Sequence, residues 1–248
     1  MLMLLQQTID RLHEMKLTGM AQALEEQQGL PDIDDLSFDD RLALLVERET
    51  TARADRRLKR LLQLARLRLQ ASLEDVDFRT KRGLDKSVFL RLAACDWIRQ
   101  NQVLLIVGAT GTGKTYLSCA LGLAACRQGL GVRYTRLPRL FNDLAIARAD
   151  GSYSKMLASL SRAELLILDD WGLAPMADKE RRDLLEIVED RYARRATLVA
   201  SQLPVEHWHE LVGDPTFGDA ILDRLLHQAH RISLKGRSMR NRTTTKGD

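Results

Sequence analysis

Residues 108–115 read Gly-Ala-Thr-Gly-Thr-Gly-Lys-Thr and fit G-x-x-x-x-G-K-[ST]; the aliphatic run 103–107 precedes them and a helical pattern begins at Thr115. Strand, glycine-rich loop and helix in that order leave few folds open, because such a loop works only when a strand delivers it to the first turn of a helix. Gly108, Gly111 and Gly113 keep side chains away from backbone amides that can wrap a triphosphate, and Ala109, Thr110 and Thr112 complete the loop. Lys114 sets a compact cation against the β and γ phosphates, Thr115 offers a hydroxyl to Mg²⁺, and the helix adds its partial positive charge. A glycine-rich turn that binds nothing does not require this strand context together with all four fixed residues.

From residue 84 onward, aliphatic runs at 103–107, 132–135, 165–168, 197–200 and 231–234 alternate with helical stretches near 115–128, 138–149, 153–162, 178–194 and 219–227. Alternation of this kind predicts an α/β fold whose five-stranded parallel sheet is covered by helices on both faces. The third run ends in Asp169-Asp170, where Asp169 is expected to hold Mg²⁺ through its water shell and Asp170 to orient and polarise an attacking water. The fourth run ends in Ser201-Gln202. Gln202 is a candidate for holding that water or the γ phosphate, and a plain strand-end cap is the other reading. Arg224, within Ile-Leu-Asp-Arg-Leu-Leu at 221–226, lies on an amphipathic helix and by itself reads as a surface salt-bridge partner. Glu206-His207-Trp208-His209-Glu210 invites a metal reading, but histidines at i and i+2 face different sides of a helix, and no C-x-x-C or H-E-x-x-H accompanies them.

The segment before residue 84 is helical in character. Apolar residues at helical spacing occupy 4–28, Gly29-Leu30-Pro31 and three aspartates interrupt them, and Ser37 with Asp40 opens a stretch free of proline and glycine until Gly83. A long helix is expected there. In it Arg53, Arg56, Arg57, Lys59, Arg60, Arg66 and Arg68 interleave with leucines and are opposed only by Asp55, a pattern suited to a partner or a polyanion, with a solvated helix face as the alternative. The end of the chain is basic too, through Arg231, Lys235, Arg237, Arg240, Arg242 and Lys246.

With 45% hydrophobic residues among 248 and a net charge of only +4, disorder is excluded as the main state. No apolar run approaches the roughly 20 residues that cross a bilayer, and the amino terminus lacks the pattern of a secretory signal, so a cytoplasmic location without membrane contact is expected. Cys95, Cys119 and Cys126 read as reduced core residues.

The phosphate loop, Leu137-Pro138-Arg139-Leu140-Phe141, Asp150-Gly151-Ser152-Tyr153, Leu168-Asp169-Asp170-Trp171-Gly172, Ser201-Gln202-Leu203-Pro204 and Leu222-Asp223-Arg224-Leu225 together resemble the IstB-like ATP-binding proteins. These are helper ATPases of insertion-sequence transposition, related to the DnaC helicase loader within the AAA+ superfamily. The resemblance implies a protein that binds ATP with Mg²⁺, binds double-stranded DNA, forms homo-oligomers whose subunits share ATP sites, and assists a transposase. It implies a helical partner- and DNA-binding domain over 1–70 and an AAA+ ATPase domain over 71–248. Lys114 and Thr115 match the family's phosphate-binding positions, Asp169 and Asp170 its metal and hydrolysis acids, Gln202 its first sensor, and Arg224 the arginine that reaches a neighbour's nucleotide. The helical pair over 137–162 looks like a DNA-gripping insertion, which makes Arg139, Arg148 and Lys155 candidate contacts beside Arg56, Arg57, Lys59 and Arg60 of the basic helix.

Two departures are visible. Many AAA+ proteins carry Glu where this chain has Asp170, one methylene shorter. Too few residues follow Leu234 for a C-terminal lid domain, so the second sensor has no better candidate than Arg240. A DnaC-type helicase loader shares all of this chemistry and differs in its partner. A small-molecule kinase leaves the basic helix unaccounted for, and a structural DNA binder without turnover is separable by phosphate release.

Overall fold

The computed structural model describes residues 2–31 and 33–239, so Arg240, Arg242 and Lys246 lie outside the described residues. The chain divides into two compact units, Met1–Arg60 and Leu61–Asp248.

The first unit holds α1 (Leu2–Glu14), α2 (Thr18–Gln28) and most of α3 (Phe38–Ala65). Lys16 adopts φ 60° and breaks the 4–28 stretch into two helices, which pack around Ile9, Leu12 and Ala21. At Gly19 α2 presses onto α3: a Cβ there would stand 2.8 Å from Glu49 Cα. Glu49, 5% exposed, accepts hydrogen bonds from the amides of Gly19 at 2.7 Å and Met20 at 3.2 Å. It thereby satisfies donors that the start of α2 leaves open and sets a negative charge at the positive end of that helix. Arg53 and Arg56 reach the same carboxylate at 2.7 and 3.1 Å. Burial pushes the Glu49 carboxyl up, but these donors outweigh it and hold it below its usual range.

Helix α3 stops at Ala65, and Arg66 turns into the left-handed region at φ 50°. The long helix expected after Ser37 is therefore present, 28 residues of it, but Arg66 and Arg68, expected within it, lie beyond its end. Leu67 instead lies against Gly122, where a Cβ would come within 2.9 Å of its Cδ2, and Arg82 extends to the phosphate loop. Packing gains of this kind, unavailable to a continuing helix, override local propensity.

The second unit is built on β1 (Val103–Gly108), β2 (Val132–Arg136), β3 (Leu165–Trp171), β4 (Ala196–Ser201) and β5 (His230–Leu234), in the spatial order β2-β3-β4-β1-β5. Every pairing is parallel. Leu104–Ile106, Leu165–Leu168 and Leu198–Ala200 are fully buried, as strands covered on both faces must be. Around them run α4 (Lys86–Ala93), α5 (Asp96–Arg99), α6 (Lys114–Arg127), α7 (Leu137–Ala149), α8 (Tyr153–Arg162), α9 (Asp178–Arg191), α10 (Trp208–Val212) and α11 (Pro215–Leu226). The five strands and the five helices between them stand where the periodicity put them; α4, α5 and α10 are too short to show a period.

Arg191 ties two layers together from a position 1% exposed. Its guanidinium donates to the carbonyls of Leu160 at 2.6 Å and Ala163 at 2.8 Å, to Thr197 Oγ1 at 3.1 Å, and to the Ala196 carbonyl. Burial lowers its pKa to about 9, so it stays charged at neutral pH while closing the end of α8 against the start of β4.

Candidate active site

In a parallel sheet the carboxyl ends of the strands face one crevice, and reversal of strand order opens it for a ligand. Strand β1 lies between β4 and β5. The crevice therefore receives the loop after β1, the acids ending β3 and the polar pair after β4. It forms a cavity of about 440 Å³ lined by Lys114, Thr115, Asp170, Gln202 and, from the segment after α3, Arg82.

The loop is folded around its own lysine. Lys114 Nζ donates to the Gly108 carbonyl at 2.6 Å and the Ala109 carbonyl at 2.9 Å, and Thr112 Oγ1 donates to the same Ala109 carbonyl at 2.8 Å. Gly113 starts α6 from φ 98°, and a Cβ on it would meet Arg82 Nη1 at 2.4 Å. Thr110 Oγ1 donates to Gln202 Oε1 at 2.6 Å, joining the loop to the end of β4. Ser201 and Gln202 thus differ in role: Ser201 Oγ donates to the Trp171 carbonyl at 3.0 Å and holds the two strand ends together.

Asp169 is 1% exposed. Its Oδ2 accepts from Thr115 Oγ1 and from Tyr134 Oη, each at 2.7 Å, while Oδ1 accepts the Asp170 amide at 2.8 Å. Burial, and then the Asp169 charge, push the Tyr134 hydroxyl far above its ordinary pKa, so it remains a neutral donor. A hydroxyl and a carboxylate this close are an all-oxygen pair of the type a hard divalent cation takes. The residues therefore fit Mg²⁺, and the wide-φ glycines with the Lys114 ammonium fit the phosphates it accompanies.

Asp170 sits at φ 59°, where the β3–β4 register shifts between Leu168 and Trp171. The irregularity turns its carboxylate toward the cavity, with Arg68 Nη1 at 3.7 Å and Arg136 Nη1 at 3.9 Å. Burial, and next the neighbouring Asp169, raise its pKa; Arg68, Arg136 and Lys114 act in the opposite direction.

Sequence reasoning missed Tyr134, Arg68, Arg136 and Arg82 as members of this site. Arg82 is 5% exposed, donates to the Thr112 carbonyl at 2.7 Å and the Asp77 carbonyl at 3.1 Å, and its Nε is buried without a protein partner. Burial lowers its pKa. Nothing local in Lys81-Arg82-Gly83 signals this, because the partner that places it on the phosphate loop, Thr112, lies thirty residues on.

Arg224 is elsewhere. It donates to the Ala220 carbonyl and to Glu189 Oε1, both at 2.8 Å, beside Val103 and Thr197 near the starts of β1 and β4. That is the end of the sheet opposite the phosphate loop. Of the other basic candidates, Arg139 is exposed and 3.8 Å from Asp143, and Lys155 is exposed. Arg148 pairs with Asp183 and stacks 3.8 Å over the Tyr153 ring. Arg56 is engaged by Glu49 and Thr18, and Arg57, Lys59 and Arg60 are exposed on α3.

No helix among the described residues is long and apolar enough to cross a membrane. The model of the IstB-like ATP binding protein family matches residues 10–247. A putative insertion sequence ATP-binding protein of Sinorhizobium fredii is 52% identical over 238 residues, which cover 96% of this chain and 97% of that protein. Among solved structures, DnaI superposes with a TM-score of 0.59 at 21% identity, over 67% of this chain and 92% of its own. The replication initiator DnaA bound to AMPPCP and single-stranded DNA superposes at 0.58 and 18% identity, over 69% and 52%. Both show the AAA+ P-loop fold. With a phosphate loop and paired acids assembled in one crevice and kinship along almost its whole length, the chain belongs to the IstB-like ATP-binding proteins of insertion sequences and is an ATPase.

Proposed function

We propose that this insertion-sequence ATPase works as a homo-oligomer on double-stranded DNA, reads its nucleotide state through shared sites, and brings a transposase to the DNA it holds. The observation that carries this is the separation of Arg224 from Lys114 by the length of the sheet. An arginine so placed cannot act on its own subunit's phosphates, which supports a role at the nucleotide of a second copy. The kinship to an insertion sequence ATP-binding protein supports the transposase as partner, and the likeness to DnaA, whose structure holds DNA, is consistent with a nucleic-acid role.

Within one subunit, the loop amides and Lys114 bind the phosphates. Thr115 and Asp169 would hold Mg²⁺, whose charge neutralises phosphate oxygens when it is bound. Tyr134 keeps Asp169 oriented by occupying one lone pair of Oδ2. Asp170 accepts a hydrogen bond from the attacking water and takes up its proton at the carboxylate, and Gln202, restrained by Thr110, orients that water. Asp170 is shorter than glutamate, so its alignment depends on how β3 and the arginines around it are set.

Electron microscopy of the protein with ATP, Mg²⁺ and duplex DNA, with each omitted in turn, tests the assembly. Rings or filaments on DNA that require nucleotide are expected, and Lys114→Ala abolishes both ATP binding and assembly. A monomer that turns over ATP at full rate and ignores duplex DNA refutes the proposal. Pull-down against a transposase and a replicative helicase separates the two partner classes.

A further inference from the structure

At the outer edge of the sheet, beside β2, five arginines line one pocket of about 330 Å³: Arg66, Arg68, Arg133, Arg136 and Arg139, with Asp143 the acid among them. They come from three places in the chain: the turn that ends α3, the edge strand β2 and the first turn of α7. Gathering them is costly, since like charges in a concavity repel one another and guanidinium groups gain little from burial, and the structural contacts that offset this are few: Arg133 Nη1 donates to the Leu64 carbonyl at 3.4 Å, and Arg68 hydrogen-bonds Tyr134. Burial, and next Arg66, lower the pKa of Arg133, while Asp143 acts in the opposite direction. Their pairing with carboxylates is loose: Arg139 stands 3.8 Å from Asp143, and Arg68 and Arg136 stand 3.7 and 3.9 Å from Asp170.

A guanidinium fork matches a phosphate in shape as well as charge. Five guanidinium groups from three segments line the pocket, more than one phosphate can engage, so it can meet more than one phosphate. That number suits a polyanion with repeated charges better than a mononucleotide. Two of the five arginines are also the ones beside Asp170. The same side chains therefore serve a surface pocket and the hydrolysis acid.

We propose that this five-arginine pocket binds the phosphodiester backbone of duplex DNA, and that a phosphate seated there draws Arg68 and Arg136 off Asp170, leaving that carboxylate able to align the attacking water. Arg68 and Arg136 are then positioning residues that make hydrolysis answer to DNA. The inference rests on the reading of Asp170 and of DNA as ligand given above.

The test uses the full chain. In fluorescence anisotropy with a mixed-sequence duplex, Arg66→Gln/Arg133→Gln/Arg139→Gln, three positions that do not touch Asp170, is expected to weaken binding at least tenfold. The log–log salt slope is expected to flatten by about 0.9 for each phosphate that the variant no longer neutralises. Separately, Arg68→Gln is expected to raise DNA-free kcat several-fold with KM for ATP within twofold, to shrink stimulation by the duplex, and to be reversed by Arg68→Lys. A retained thermal transition shows that each variant folds. If the wild-type chain binds duplex and the triple variant binds it with an unchanged slope, the pocket assignment fails while the DNA reading stands. If the triple variant instead loses binding only to a polyglutamate peptide, the partner is an acidic protein and the proposal is overturned. An Arg68→Gln chain whose DNA-free kcat is unchanged or lower removes the coupling. A wild-type chain indifferent to duplex at low salt overturns both readings.

Discussion

Replacing Gly113 by alanine combines two costs that a second replacement, Gly151→Ala, separates. Both glycines are left-handed, at φ 98° and φ 79°. Each alanine therefore carries a steric cost of roughly 1–2 kcal/mol for its Cβ, relieved by about 0.4–1 kcal/mol from the stiffer unfolded chain. Around Gly151 nothing lies within 4 Å of the added atom, whereas at Gly113 it would fall 2.4 Å from Arg82 Nη1. That guanidinium must then leave the Thr112 carbonyl, to which it donates at 2.7 Å. A hydrogen bond from a charged donor contributes about 1.5–3 kcal/mol, so Gly113→Ala should be the more destabilising by about that amount. All three tryptophans, Trp97, Trp171 and Trp208, lie in the Leu61–Asp248 unit. Urea unfolding followed by tryptophan fluorescence thus reads this unit alone. ATP affinity should fall as well, in Gly113→Ala only, because the displaced arginine covers the phosphate loop. A difference between the two variants below about 0.5 kcal/mol, smaller than a typical net hydrogen bond, would refute the claim that Arg82 braces the loop.

Mixing Arg224→Ala chains with Lys114→Ala chains should restore part of the ATPase rate that each lacks alone, because one supplies an intact loop and the other an intact arginine; no recovery at any ratio in a phosphate-release assay counts against shared sites. Tyr134→Phe removes a donor to Asp169 Oδ2. By analogy with other groups that orient metal-binding side chains, the Mg²⁺ concentration for half-maximal rate should rise about 10- to 100-fold, and an unchanged Mg²⁺ titration would show that Asp169 needs no such brace. Burial pushes the thiols of Cys95 and Cys126 up to about 11, and raises Cys119 as well. The sign is plain: a raised pKa keeps the thiolate scarce at pH 8, so iodoacetamide should label none of the three until denaturant is added, which mass spectrometry resolves.

Much of the candidate site was legible because it is local. Gly108, Gly111, Gly113, Lys114 and Thr115 occupy one continuous loop. That Asp169 and Gln202 reach the same crevice follows from each ending an aliphatic run, since strands of a parallel sheet end on the same side. The compact units meet at Arg60 and Leu61, inside the long helix α3, and no periodicity marks such a point, because the helical pattern runs through it unbroken.

By itself, then, the sequence determined the strand, loop and helix order, the parallel sheet and the make-up of the glycine-rich loop, since each depends on residues near one another in the chain or on a period of two or 3.6. The tertiary structure alone decided that Arg82 braces the loop from thirty residues away, that Tyr134 holds Asp169, that Arg68 and Arg136 stand over Asp170, and that Arg224 faces away from its own nucleotide site. The reason is geometric: a single arginine or tyrosine carries no pattern, and its role is set by where strand order and chain reversals bring distant segments together.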